Sequence, residues 1–425
     1  MRMIDIIGIL EAIEGNVVYL AALSFFAWYP LVSSGVLVLV SMFYYLRRER
    51  RSEDIKPKLD PTFTPMVSVV IAAYNESEHI QATIDGILAI DYPSFEVVII
   101  DDGSVDDTSA LVLPYVRDRK VRLVRKLVNE GKAMALNDGL RCTNGEILLV
   151  MDADAIPDPQ ILRVVVPHFK SPRVGAVTGN PRVINRETLL CKLQAIEFTA
   201  IISLQRRAQR VWGRILTMSG VVGAFHRDAI LDAGLYSPDM ATEDIDLSWK
   251  LQLKFWDIRY EPRAVVWMRV PSTLGGLWRQ RRRWATGLAQ VLRRHGASAM
   301  TWKRRRLWPL VVESWLSITW AYCFVVLTSL WLFCYTIGYP PVGASPIPNW
   351  WGMLIGTMCL TQLLVGVLLD RRYDRRISLY YFTAVFYPLL YWIIMAIVTS
   401  ISTPAAILRA PRAAPVRWKP VRGDA

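Results

Sequence analysis

Histidine and cysteine are scarce, at four and five among 425 residues. The cysteines (Cys142, Cys191, Cys323, Cys334, Cys359) show no paired spacing, and three lie in apolar runs, so they read as small core residues and not as a disulfide framework. The histidines are scattered, which argues against a zinc site. Acidic residues are also in deficit, 37 against 50 basic ones, for a formal net charge of +13. The basic residues cluster beside apolar runs, as cytoplasmic loops of membrane proteins do, so nucleic acid is not an expected partner. A cleavable signal pattern is missing too: the first apolar segment starts late and has no small-residue site before Arg47.

What the chain does have is apolar length. Hydrophobic residues make up 53% and the mean hydropathy is +0.26, so membrane spans are expected. Residues 17–46 are almost uncharged and precede Arg47-Arg48-Glu49-Arg50-Arg51, which predicts one long helix with its C-terminal end in the cytoplasm. Pro30 could instead divide it. Residues 310–337 and 351–369 predict two more spans, joined by an uncharged, proline-bearing outer loop. Residues 377–408 contain Pro388 and Pro404 and allow two readings. One span would put the basic tail outside; two arms bent at Pro388 would return it to the cytoplasm. The chain thus divides into a membrane segment (1–51), a linker (52–65), a soluble domain (66–271), an interfacial region (272–306), a second membrane region (307–408) and a basic tail (409–425).

In the soluble part, strand patterns at 67–72, 95–100, 121–124 and 146–151 alternate with helical stretches, the first starting near Glu76. This predicts an α/β domain with a mainly parallel sheet. Residues 189–211 predict one further helix. Polar residues recur where the strands end, which is where such folds bind ligands. Asp152-Ala153-Asp154 closes the fourth strand; two carboxylates there suit a divalent cation, although the pair alone is equally a polar turn. Ala73-Tyr74-Asn75-Glu76, Asp102-Gly103-Ser104 and Asn129-Glu130-Gly131-Lys132 are each a turn or cap in isolation. Together they suit a nucleotide, with an aromatic for the base, carboxylates for base or ribose, and helix N-termini and a lysine for phosphate. Thr242-Glu243-Asp244 is either an N-cap with acids in the first turn or the seat of a general base. Residues 274–292 mix Trp278 and Trp284 with Arg279 and Arg281–Arg283, as a membrane-interface helix or the basic face of a soluble one. An indole can stack on a sugar and an arginine can brace a diphosphate.

These motifs, in this order and followed by membrane spans, resemble the processive, membrane-embedded family-2 glycosyltransferases, which include cellulose, chitin, hyaluronan and poly-N-acetylglucosamine synthases. The matching stretches are Asp101-Asp102-Gly103-Ser104, Asp152-Ala153-Asp154, Thr242-Glu243-Asp244 and Gln280-Arg281-Arg282-Arg283-Trp284. Residues 178–182, 219–225, 240–253 and 260–264 are similar to the bacterial poly-β-1,6-N-acetylglucosamine synthases within that family. The resemblance implies a GT-A nucleotide-sugar transferase domain inserted between transmembrane helices. It implies UDP-N-acetylglucosamine as donor, a growing polysaccharide as acceptor and Mg²⁺ or Mn²⁺ as cofactor. Ala73, Tyr74, Glu76, Asp102, Lys132 and Asp152 would then serve the nucleotide, and Asp154 with Asp152 the metal. Asp244 would be the base, supported by Glu243, while Phe225, Gln280, Arg283 and Trp284 would form the acceptor and diphosphate side. The resemblance further implies a multi-pass protein of the bacterial plasma membrane, in contact with lipid, with a cytoplasmic catalytic domain. It also implies a small transmembrane partner subunit and activation by cyclic di-GMP, without a nucleotide-sensor domain after the last apolar run. A hyaluronan- or chitin-type β-1,4 synthase shares every core motif and is the alternative.

Overall fold

The computed structural model describes residues 10, 12–13, 15–50, 59–338, 350–408 and 416–417. The expected linker between 51 and 58, the outer loop 339–349 and most of the tail fall outside the described residues. Helix α1 (Val17–Tyr44) runs through Pro30 as one element, capped by the Asn16 side chain on the Val18 amide, and a π turn carries it on to Glu49.

The soluble domain is built on β1 (Val67–Ala73), β2 (Phe95–Asp101), β3 (Arg122–Arg125) and β4 (Ile147–Asp152), all parallel. With β5 (Ile156–Pro157), β6 (Val174–Val183), β7 (Val222–His226) and β8 (Asp257–Met268) they form one mixed sheet of order β3-β2-β1-β4-β7-β6-β8-β5. β7 runs antiparallel to both β4 and β6. Every residue of β1 is buried because helices cover both faces, which is why parallel strands read as unbroken apolar runs. Val67, Val69 and Ile71 join the cluster containing Ile80, Ile84 and Ile87 of α2 (Ile80–Leu88), while Val70 and Ala72 meet Ala135 and Leu136 of α3 (Lys132–Arg141) on the other side. Helix α2 starts at Ile80 and not near Glu76: the Asn75, Glu76 and Ser77 amides donate to Ser104, Thr108 and Asp106, so this stretch is a loop stitched to the next one.

The helix predicted over 189–211 is α4 (Leu189–Glu197), a π turn (Phe198–Ile202) and α5 (Ser203–Trp212). Then come α6 (Glu243–Leu253), the long α7 (Leu274–Ala299), α8 (Trp308–Thr336), α9 (Trp350–Asp370) and α10 (Trp392–Leu408). Gly366 of α9 lies so close to Ala200 that any Cβ there would collide with the turn backbone. Three helical stretches, Val17–Glu49, Trp302–Thr336 and Trp351–Asp370, are long and apolar enough to cross a bilayer, and the chain is a membrane protein. The last apolar run is a 3₁₀ segment (Arg375–Phe386), then a π turn that holds Pro388 (Tyr387–Tyr391), then α10. The Val416 amide donates to the Pro238 carbonyl at 2.8 Å.

Four buried charges join the two parts. Arg207 of α5 forks onto both oxygens of Glu49 at 2.8 Å and onto Asp370 at 2.6 Å; Arg182 of β6 reaches the other Asp370 oxygen at 2.5 Å. The Tyr373 hydroxyl also donates to Glu49, at 2.8 Å. The charges sum to zero and each carboxylate has several donors, which is what a group this far from water requires. Removing one partner of a buried pair costs about 3–5 kcal/mol. Arg207→Met is therefore expected to lower the thermal unfolding midpoint in detergent markedly. Arg207→Lys should restore little of it, since an ammonium lacks the planar fork; a midpoint unchanged by Arg207→Met would rule out this anchoring role.

Candidate active site

The parallel register sets the site. Ala72 of β1 pairs with Asp152 of β4, and Ala73 with Asp101 of β2, so these strands end at one level with their polar residues on one edge. Asp101 turns inward: it accepts from the Ser104 amide at 2.8 Å and from the Ser109 hydroxyl, holding the following turn. Asp102 is fully buried, and accepts from the Gly131 amide at 2.7 Å and the Glu130 amide at 3.2 Å. Burial raises its pKa despite those bonds and Lys126 at 3.5 Å. Its carboxylate thus orders the loop before α3. Ala73 is buried at the strand end, and Tyr74 and Glu76 are half-buried in the loop above it.

Lys132, the first residue of α3, is the hub. Its ammonium is bonded to Asp152, lies 3.3 Å from the Gly220 carbonyl and 3.6 Å from Glu243. Burial alone would lower its pKa, but Asp152 and Glu243 reverse that and hold it charged. Asp244, next to Glu243 in the first turn of α6, faces the same space. Its Oδ2 would stand 2.9 Å from a Cβ at Gly220, so only glycine leaves room for the carboxylate there. Burial, then the neighbouring Glu243, push Asp244 up to about 6, while Lys132 and Arg283 pull it down. Lys132, Ser219, Gly220, Tyr236, Glu243 and Asp244 are among the walls of one narrow cleft. Phe225 is buried in β7 and meets Tyr236 edge-on at 6.2 Å, so its ring lines the floor and the loop before it is the part near the opening.

Asp152 and Asp154 leave β4 one residue apart, the turn pinned by the Thr83 hydroxyl on the Ala153 carbonyl at 2.8 Å. Asp154 is nearly buried. Two carboxylate oxygens fit a hard divalent cation whose other positions go to phosphate and water. Among the described residues no group of three or more His, Cys, Asp or Glu is arranged to hold a metal.

Helix α7 brings the last group. Gln280 and Trp284 are half-buried and Arg283 is exposed. Arg281, read from sequence as part of a basic interfacial face, is instead buried: it bonds Glu197 at 2.6 Å and the Tyr391 hydroxyl at 2.5 Å, and sits 4.1 Å from the Trp284 ring centroid. It therefore stiffens Trp284, whose face it covers. Thr242 is the N-cap by position but its hydroxyl caps nothing; it is pressed against Gly287 of α7, where any Cβ would overlap it. That contact sets α6 against α7. Gly220, Tyr236, Gly287 and the Glu197–Arg281 pair were not singled out from sequence. Gly287 alone left a signal, since a glycine inside a long helix costs stability and marks close packing.

A mainly parallel sheet with paired carboxylates past β4 and an acidic helix N-terminus across the cleft defines a GT-A glycosyltransferase. A mannosyltransferase from Pyrobaculum calidifontis, solved with GDP-Man and Mn²⁺, shares the fold at a TM-score of 0.57 and 22% identity, over 90% of this chain and 99% of that one. A sequence model described as "Glycosyltransferase like family 2" matches residues 65–287. Poly-β-1,6-N-acetyl-D-glucosamine synthase of Staphylococcus epidermidis is 35% identical over 405 residues, covering 94% of this chain and 98% of its own. The synthase of the same name from Staphylococcus aureus strain COL is 36% identical over 406 residues, with the same coverage. The chain belongs to glycosyltransferase family 2.

Lys132 is one of the charges holding Asp244 down, so its removal has a signed consequence. Lys132→Met is expected to raise the Asp244 pKa further and move the acid limb of the transfer rate to higher pH. A pH–rate profile checks this; a limb that stays in place or moves down would separate the two groups.

Proposed function

We propose that this chain polymerises N-acetylglucosamine from UDP-N-acetylglucosamine into a β-1,6-linked polysaccharide, as a processive, inverting transferase of a bacterial plasma membrane with its catalytic domain in the cytoplasm. The observation that carries the reading is one cleft holding a half-buried carboxylate with a raised pKa, Asp244, opposite a lysine already paired to the strand-end Asp152. Likeness to the named synthases over nearly the full length, membrane helices included, supports the sugar and the polymer.

In this reading Ala73, Tyr74 and Glu76 border the nucleoside, with Asp102 ordering the loop beside it. Lys132 meets the diphosphate at the N-terminus of α3, where a developing negative charge is favoured. Asp152 and Asp154 would hold Mg²⁺ or Mn²⁺, which when bound neutralises charge on the leaving diphosphate. Asp244 takes the proton from the acceptor O6 as that oxygen attacks the anomeric carbon opposite the departing UDP, so an α-linked donor yields a β linkage. A pKa near 6 suits that role, because the base is ionised at neutral pH yet more basic than an exposed carboxylate. Glu243, sharing Lys132, keeps that charge balance. Trp284 offers a ring face to the acceptor sugar, with Gln280 and Arg283 beside it, and Phe225 backs the loop on which it rests. The membrane helices give the product a route out.

Asp244→Asn is expected to retain UDP binding and to lose about 10²- to 10⁴-fold in rate, the range of a general base. In the parent enzyme the base must be unprotonated, so kcat/KM should be half-maximal near pH 6, climb to its plateau above that and fall away below it. Retained synthesis by Asp244→Asn would eliminate the assignment. The function itself is tested with membranes carrying the chain, with and without a co-expressed small transmembrane partner and cyclic di-GMP. They are given labelled UDP-N-acetylglucosamine and Mg²⁺, and the product is treated separately with a β-1,6-specific hexosaminidase and with chitinase. Digestion by the first enzyme alone is expected. Digestion by chitinase alone would convert the reading to a β-1,4 synthase, and no polymer in any arm would remove the donor assignment.

A further inference from the structure

The second half of α7 grips the segment that carries Asp244. Gly287 takes the Thr242 side chain, and the Gln290 Oε1 accepts from the Ala241 amide at 2.9 Å. Arg294 pairs with Asp239, and the His295 Nε2 lies 2.7 Å from Asp246 of α6. Positions 287, 290, 294 and 295 share one helical face, and the first three meet Thr242, Ala241 and Asp239 in reverse order. Asp246 is fully buried, so its carboxylate needs donors on both oxygens. The Ser237 hydroxyl donates to one at 2.5 Å and His295 serves the other. Burial raises the Asp246 pKa, but those two bonds outweigh it and keep the carboxyl below its ordinary range. A carboxylate only accepts, so His295 carries a proton on Nε2. Trp249, fully buried on α6, stacks on the imidazole at 6.5 Å between ring centroids and fixes its plane. From the other side of α6 the Ser248 hydroxyl donates to the Asp244 carbonyl at 2.6 Å and accepts from the Met218 amide at 2.9 Å, just before the Gly220 that faces the Asp244 carboxylate.

We propose that Asp246 and His295 are positioning residues for the Asp244 base: their bond locks α6 to α7 and so sets where the Asp244 carboxylate stands in the cleft. Asp244 and Asp246 are two positions apart, about 200° around a helix of 3.6 residues per turn, so they leave α6 on opposite sides. A hold on Asp246 therefore fixes the rotation of α6 about its axis, which is the motion that would swing Asp244 away. Ile245, Trp249, Val291 and Leu292 already join the two helices by apolar contact, which has no direction. The hydrogen bonds to Asp246 add direction, and with it a register. Lys132 and Asp152 stand on α3 and β4, so the diphosphate side of the cleft is built by the sheet and not by this clamp. Loss of the clamp moves the base and leaves the donor contacts where they are. Misplacing a reacting group by about 1 Å costs on the order of 10²-fold in rate.

The proposal rests on Asp244 as the base, and the test separates the two. Purified full-length protein in detergent is assayed for UDP binding and for initial rate per UDP-binding site, so that unfolded molecules drop out of both. His295→Ala is expected to lower kcat per site by about ten- to hundredfold and to leave the donor KM nearly unchanged. His295→Gln, whose side-chain N–H can stand in for Nε2–H, should regain most of the loss. In the Asp244→Asn protein, already slow, adding His295→Ala should change the rate little, because effects that act through one group are not additive. Should His295→Ala leave no UDP-binding protein, Gln290→Leu carries the same test with Asp246 still paired, and a several-fold loss of kcat per site is expected. An unchanged kcat per site, a loss that His295→Gln does not repair, or an equal further loss in the Asp244→Asn background would each overturn the positioning role. Full synthesis by Asp244→Asn alone would instead overturn the base assignment beneath it.

Discussion

Two arginines and two carboxylates shut away from water hold the membrane helices to the sheet. Glu49 ends the first span, Asp370 ends α9, Arg207 lies on α5 and Arg182 on β6, and none of the four has water to fall back on. In that setting Coulomb attraction is strong and the penalty for a missing partner is stronger still, so the four positions are set together. The orientation of the cleft follows from them. β6 pairs with β7, and the loop entering β7 carries the Gly220 that makes room for Asp244. The cleft is thereby held at a set attitude to the membrane helices.

Inside the cleft the same problem has a different solution. Asp152, Glu243 and Asp244 crowd around one ammonium, and the local charge is negative until a ligand or ion arrives. The two adjacent carboxylates at the start of α6 are made unequal by their surroundings: burial and repulsion lift Asp244, while Glu243 has the direct approach to Lys132.

Strands β1 to β4, their parallel sense and the residues closing them were legible because each rests on a short local pattern: apolar runs ending in Asp102 and Asp152, and helix starts at Lys132 and Glu243; β5 to β8 were not read. The first span was legible as one helix despite Pro30. What stayed hidden depends on distant partners. Arg281 looks in sequence like its exposed neighbours Arg282 and Arg283; only Glu197 and Tyr391, 84 and 110 positions away, make it internal. Asp102 reads as an open ligand but spends its oxygens on amides 28 and 29 positions on. Thr242 carries the composition of a cap, whereas its hydroxyl is pressed against Gly287.

The anchoring carboxylate on the first span also sets a timetable. Glu49 leaves the ribosome early, yet the residues that satisfy it come from far along the chain, Arg207 after 158 further positions and Tyr373 after 324. At about 5–20 residues per second, that interval is on the order of 15–65 s. For that time the emerging helix must keep its carboxylate near the lipid headgroups, within reach of water, as the flanking arginines allow. Only when the end of α9 appears can the ion cluster close and the carboxylate be withdrawn, so biogenesis of this enzyme finishes at its beginning.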